Sequence, residues 1–103
     1  MSLESIMRRY EGYLRSYPEV KDSSYTLNAI HLLKPVLNYL RKQNLISMLD
    51  LGCGYGILTL IVAEYIGVKR VYAMDIDLER LKFFEKVKKA SHVECGSITP
   101  RYV

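Results

Sequence analysis

The chain has 103 residues, of which 50% are hydrophobic, 25% charged and 11% aromatic, the composition of one globular domain rather than of a disordered or fibrous chain. That length holds one modest core and excludes separate substrate and cofactor domains. With 15 Lys and Arg against 11 Asp and Glu, the net charge of +4 fits an RNA partner, an anionic small molecule or a plain solvated surface.

No window approaches the roughly 18 uninterrupted apolar residues that a bilayer span needs. The N-terminus, MSLESIMRRYEGYL, has neither the apolar centre nor the small-residue cleavage site of a secretory signal. The expectation is a cytoplasmic protein without a membrane segment. Cys53 and Cys95 show no paired metal spacing, His92 has no ligand-spaced partner and His31 reads as a packing or surface residue of a helix, so no metal site or disulfide framework is expected.

From Leu3 the apolar positions Leu3, Ile6, Met7, Tyr10, Tyr13, Leu14 and Tyr17 recur at three- and four-residue steps, predicting an amphipathic helix capped by Ser2 and stopped by Pro18. Leu27, Ile30, Leu33, Leu37 and Leu40 predict a second helix. Pro35 within it predicts a kink, or a short helix followed by another that begins near the proline. The run Ile46 to Leu51 is mostly apolar without alternation, as in a parallel strand covered on both faces. It ends in Gly52-Cys53-Gly54-Tyr55-Gly56. Tyr55 to Ile66, nearly all apolar, predicts a helix stopped by Gly67, and Arg70 to Met74 a second strand. Asp77 is the expected N-cap of a further helix with Leu78, Leu81, Phe84 and Val87 inward and Lys82, Lys86 and Lys89 outward. His92 to Cys95 is the expected third strand, followed by Gly96-Ser97 and a short tail. Two leading helices and then β-α-β-α-β imply an α/β fold with a parallel sheet and right-handed crossovers.

Asp50-Leu51-Gly52-Cys53-Gly54-Tyr55-Gly56 lies between a strand and a helix, and Asp75 ends the next strand about twenty residues on. Glycines let the chain turn sharply and let a ligand touch bare backbone, while the helix start offers free N–H donors. An acid at that spacing accepts both hydroxyls of a ribose, so the constellation describes a nucleoside pocket. A dinucleotide fingerprint would place a third glycine at position 57, which is Ile57. Asp50 would also repel a pyrophosphate and suits a cationic amino-acid end instead.

The segments MLDLGCGYGILTL and VYAMDID resemble the class I S-adenosylmethionine-dependent methyltransferases. By that resemblance Asp50, Gly52, Cys53, Gly54 and Gly56 surround the methionine part of S-adenosylmethionine. Asp75 binds its ribose hydroxyls, Ile76 packs on the adenine, and Ser97 stands where many members carry an acid that meets the adenine amino group. The implied fold is a Rossmann-like parallel sheet of about three strands with flanking helices. Residues 1–103 form a single domain, divided into an N-terminal helical segment at 1–44 and a cofactor-binding half at 45–103. It looks like a shortened methyltransferase fold, because the later strands and any substrate motif of the family are missing from the sequence.

With the family's strand order, the first strand has no neighbour on one side, and such an edge templates pairing with another chain. A homo-oligomer or a partner chain is therefore one expectation. Upstream residues of the family often fold over the cofactor, which would involve Tyr25 or Thr26. The expected function is methyl transfer to an unidentified acceptor, whether small molecule, RNA or protein, with no general base identifiable. Two alternatives stand beside it: a non-catalytic interaction module of shortened methyltransferase type, and an NAD-type dinucleotide-binding fragment.

Overall fold

The computed structural model describes residues 2–16, 23–91, 93 and 97–102, the backbone alone for 23–27 and 97–102. Helices α1 (Leu3–Leu14) and α2 (Ser23–Arg41) precede β1 (Ser47–Leu51), α3 (Ile57–Ile66), β2 (Arg70–Asp75), α4 (Leu78–Val87), a 3-10 turn at Lys88–Ala90 and β3 (Ser97–Tyr102). The strands form one parallel sheet in the order β1-β2-β3, with Leu49 beside Tyr72 and Val71 beside Ile98. The α/β class and the parallel sheet agree with the expectations above.

Local chemistry sets the helix starts. Ser2 accepts the Ser5 N–H at 3.1 Å, and Asp77 accepts from Glu79 and Arg80 at 3.0 and 3.2 Å, each satisfying donors that the first turn leaves over. α1 ends at Leu14, before the expected stop at Pro18, which lies outside the described residues. α2 runs through Pro35 as one helix rather than splitting into two. Proline removes one rung of the ladder, and Ile30 and Leu37 on either side stay buried, so packing carries the helix across it. Tyr65 adds a hydrogen bond to Asn38 of α2.

α3 is the centre of the helical layer and packs against both α1 and α2. Its Leu60, Ile61 and Ala63 are fully buried with Tyr10, Ile6 and Leu3 of α1. Arg9 of α1 pairs with Glu64 of α3, and Tyr13 donates to the Lys86 carbonyl of α4 at 2.8 Å. On α4, Leu81, Phe84 and Val87 are buried as expected, whereas Leu78 is exposed and Phe83 is buried.

Two expectations are corrected. The sequence predicts the third strand at His92–Cys95, of which His92, Glu94 and Cys95 lie outside the described residues; the strand that pairs with β2 is Ser97–Tyr102. The sequence reads this segment as a tail, and Pro100 is tolerated in it because one side of an edge strand's backbone needs no partner. The first strand was expected to be covered on both faces. Its exposure alternates instead, as does that of β2. Met48, Val71 and Ala73 face the helices, while Leu49, Leu51 and Tyr72 stay exposed on the opposite face. Among the described residues, no helix is long and apolar enough to cross a membrane.

Ile61→Ala is expected to cost about 2–5 kcal/mol of stability in urea unfolding, and Leu32→Ala, on the exposed side of α2, less than about 0.5 kcal/mol.

Candidate functional site

The turn from β1 to α3 crosses the C-terminal edge of the sheet. Gly52 and Cys53 both donate their N–H to the Met74 carbonyl, at 2.7 and 3.0 Å, which carries the β1–β2 pairing past the last strand residue. Gly54 then donates its N–H to Asp75 Oδ2 at 2.8 Å, and Gly56 donates to the Cys53 carbonyl at 3.0 Å. Gly56 is the N-cap of α3 and offers no side-chain cap, so the first-turn donors of that helix are left for other acceptors.

The glycines do different work. Gly56 has φ +84°, and a Cβ there would stand 1.8 Å from the Phe84 ring; α4 therefore packs directly onto the loop, and this glycine is required by the protein's own packing. Gly52 also has a left-handed φ, +75°, but a Cβ on it would meet nothing within 4 Å. Its bare backbone faces open space at a cleft of about 200 Å³ lined by Leu51, Gly52, Met74, Asp75 and Ile76. The side of Tyr55 packs edge-on to Phe83 at 5.1 Å and lies under the Arg80 guanidinium at 5.5 Å, a second tether between loop and α4.

Asp75 is 8% exposed. Its Oδ1 accepts the Asp77 N–H at 2.7 Å and its Oδ2 the Gly54 N–H. Those two backbone donors, Asp77's first, hold its pKa below the ordinary 3.8 against the opposing effect of burial. A carboxylate with a lowered pKa contributes fully above 3.8, and the contribution is lost as the pH falls through its folded value. Each oxygen keeps a further lone-pair direction, so two hydroxyl donors can still be accepted.

Asp50, half-buried at the end of β1, accepts a hydrogen bond from the Thr59 hydroxyl of α3. No ion pair among the described residues involves it. Between the two acids lies Cys53, whose thiol is pushed up to about 11 by burial first, and then by the negative charges of Asp50 and Asp75. The loop is thus flanked by two carboxylates, and its thiol stays protonated at neutral pH. No group of three or more metal-binding side chains exists among the described residues.

The structure places Gly52, Asp75 and the exposed Ile76 on the cleft itself, with Gly54 bonded to Asp75, Asp50 and Cys53 beside them on the loop, and Gly56 turned into the packing under Phe84. It does not bring Ser97 there. Ser97 pairs in register with Arg70 at the start of β2, roughly 16 Å of strand rise from the level of Asp75, at the far end of the sheet. The expectation that Ser97 follows the third strand is corrected: it begins that strand. The side chains of Tyr25 and Thr26 lie outside the described residues. Thr59 and Phe84 are site residues that motif spacing does not show. The signal for Thr59 is a lone hydroxyl in an otherwise apolar helix start.

Residues 30–102 match the family model described as methyltransferase small domain. Ribosomal protein L11 methyltransferases of Legionella pneumophila, strains Corby, Lens and Paris, are each 45% identical to the chain over 47 residues. That alignment covers 46% of this chain and 16% of the relative, so the chain spans a small part of the length of these curated relatives.

Gly56→Ala is expected to cost about 2–5 kcal/mol, combining left-handed strain with displacement of a buried ring, against about 1–2 kcal/mol for Gly52→Ala, where only the strain applies; urea unfolding of the two variants measures the difference. Alkylation of Cys53 by iodoacetamide, followed by peptide mass mapping, should run about 100-fold slower at neutral pH than for a free thiol and accelerate as the pH approaches 11.

Proposed function

This chain belongs to the methyltransferase small domain family, and from that premise we propose that the cleft at Gly52 and Asp75 binds S-adenosylmethionine, the usual cofactor of such methyltransferases. The observation that carries the reading is the charge at the β1 side of the loop: Asp50 has no basic partner among the described residues, whereas Arg80 lies near Asp75. S-adenosylmethionine is net cationic, with an ammonium and a sulfonium group against one carboxylate, and suits such a site. The anionic pyrophosphate of NAD does not.

The residues fit the group part by part. Asp50 would meet the ammonium, and the bare backbone at Gly52 and Gly54 would lie along the methionine chain with the small Cys53 between. The spare lone pairs of Asp75 would accept the ribose hydroxyls. Ile76, exposed at the rim of the cleft, would cover the adenine. Gly56 supports this arrangement indirectly, by admitting Phe84. When bound, S-adenosylmethionine supplies its sulfonium methyl as the electrophile. The chain's own residues hold that group at a fixed place, and catalysis in such a site rests on proximity and orientation.

The reaction proposed for the whole protein is methyl transfer to an acceptor. The name of the Legionella relatives makes a ribosomal protein the first acceptor to test. The proposed setting is the cytoplasm. The edge of β1 that no described strand pairs, with the exposed Leu49, Leu51 and Tyr72, favours further polypeptide there, from a second copy or another chain, to complete the acceptor's side of the cleft.

Calorimetric titration with S-adenosylhomocysteine should give saturable binding, weakened at least about 10-fold by Asp75→Ala, with circular dichroism showing that the variant stays folded. NAD should give no heat. Equal binding of NAD, or unchanged affinity in Asp75→Ala, overturns the assignment.

A further inference from the structure

Thr59 is 1% exposed, and its hydroxyl donates to Asp50 Oδ2 at 2.5 Å. A threonine in a helix often returns its hydroxyl proton to the carbonyl one turn back. In α3 the proton goes across to the end of β1 instead, toward a carboxylate half-withdrawn from water. A carboxylate there requires donors, and the kind of donor matters. An Arg or Lys would satisfy the oxygen and cancel the charge. A hydroxyl satisfies the oxygen and leaves the charge in place.

Oδ1 of Asp50 accepts from no described residue, and no ion pair among them reaches the group. One oxygen is therefore fixed by the protein while the other keeps its lone pairs. The fixed oxygen also ties β1 to the first turn of α3 across the glycine loop, so the carboxylate's rotation is tied to the loop's own geometry. Buried partners of this kind orient the groups that touch a ligand.

We infer that Thr59 is a positioning residue: it holds the Asp50 carboxylate so that Oδ1 receives the amino group of the ligand's methionine end. The inference rests on the cofactor reading above. Thr59 itself touches no ligand in this account and acts through Asp50 alone, so its effect is confined to ligands that carry an amino-acid end.

That confinement supplies the test. Affinities for S-adenosylhomocysteine and for 5′-methylthioadenosine, which shares the nucleoside but lacks the amino-acid end, are measured for the wild type, Thr59→Val, Thr59→Ala and Thr59→Ser. Removing the hydroxyl by Val or Ala should weaken S-adenosylhomocysteine about 10-fold and leave methylthioadenosine within about 2-fold, with Ser restoring the wild-type ratio. In an Asp50→Asn background the Thr59 substitutions should no longer change that ratio. Comparing two ligands on one sample removes any general loss of stability from the comparison. If the wild type binds both ligands and the substitutions weaken them equally, or weaken neither, the positioning role is overturned and the cofactor reading stands. If the wild type binds neither, both fall together.

Discussion

The carboxylate of Asp75 joins the three pieces from which the site is made. One oxygen takes the N–H of Gly54 from the loop, the other takes the N–H of Asp77 at the start of α4, and the residue itself ends β2. Hydrogen bonds to an ionised acceptor are stronger than neutral ones, and burial gives this one few competitors from solvent. The loop, the second crossover and the helix that follows are thereby set relative to a single charged group. Phe84 against Gly56 and Arg80 above Tyr55 then hold the same arrangement from the α4 side, so the loop conformation is fixed by packing before any ligand arrives.

Much of this was legible in the residues. The glycine punctuation from Gly52 to Gly67, the cap at Asp77 and the apolar periodicity of α1 and α4 are local signals, and local signals survive into the fold. What was not legible depends on partners distant in sequence. Gly56 reads as one more ligand-facing glycine until α4 brings Phe84 onto it. The segment after Ser97 reads as a short tail until Ser97–Tyr102 turns out to be an edge strand, and that shift by a few residues carries Ser97 from the expected cleft to the opposite end of the sheet. Thr59 breaks an apolar run for no evident reason until its hydroxyl is seen on Asp50.

The first strand shows the limit of pattern reading most directly. An apolar run such as Ile46 to Leu51 looks the same whether one face or both faces are covered. The pleat sends Met48 and Asp50 to the helical side and Leu49 and Leu51 to the other, and only the arrangement of the helices decides which side is dry. Parallel sheets ordinarily have both faces covered. Here the described residues build one helical layer, against which the whole buried core is assembled.

Leu51 and Met74 line the cleft, and Leu51 belongs to the uncovered face, 71% exposed. The cleft and that face thus share a wall. Any polypeptide laid over Leu49, Leu51 and Tyr72 would meet Leu51, which also lines the cleft, and two events that share a side chain are coupled in free energy. Linkage then runs both ways: the factor by which the ligand changes the affinity of the covering polypeptide is the factor by which the polypeptide changes the affinity of the ligand. Assembly and small-molecule occupancy at this sheet would be one thermodynamic cycle rather than two separate properties.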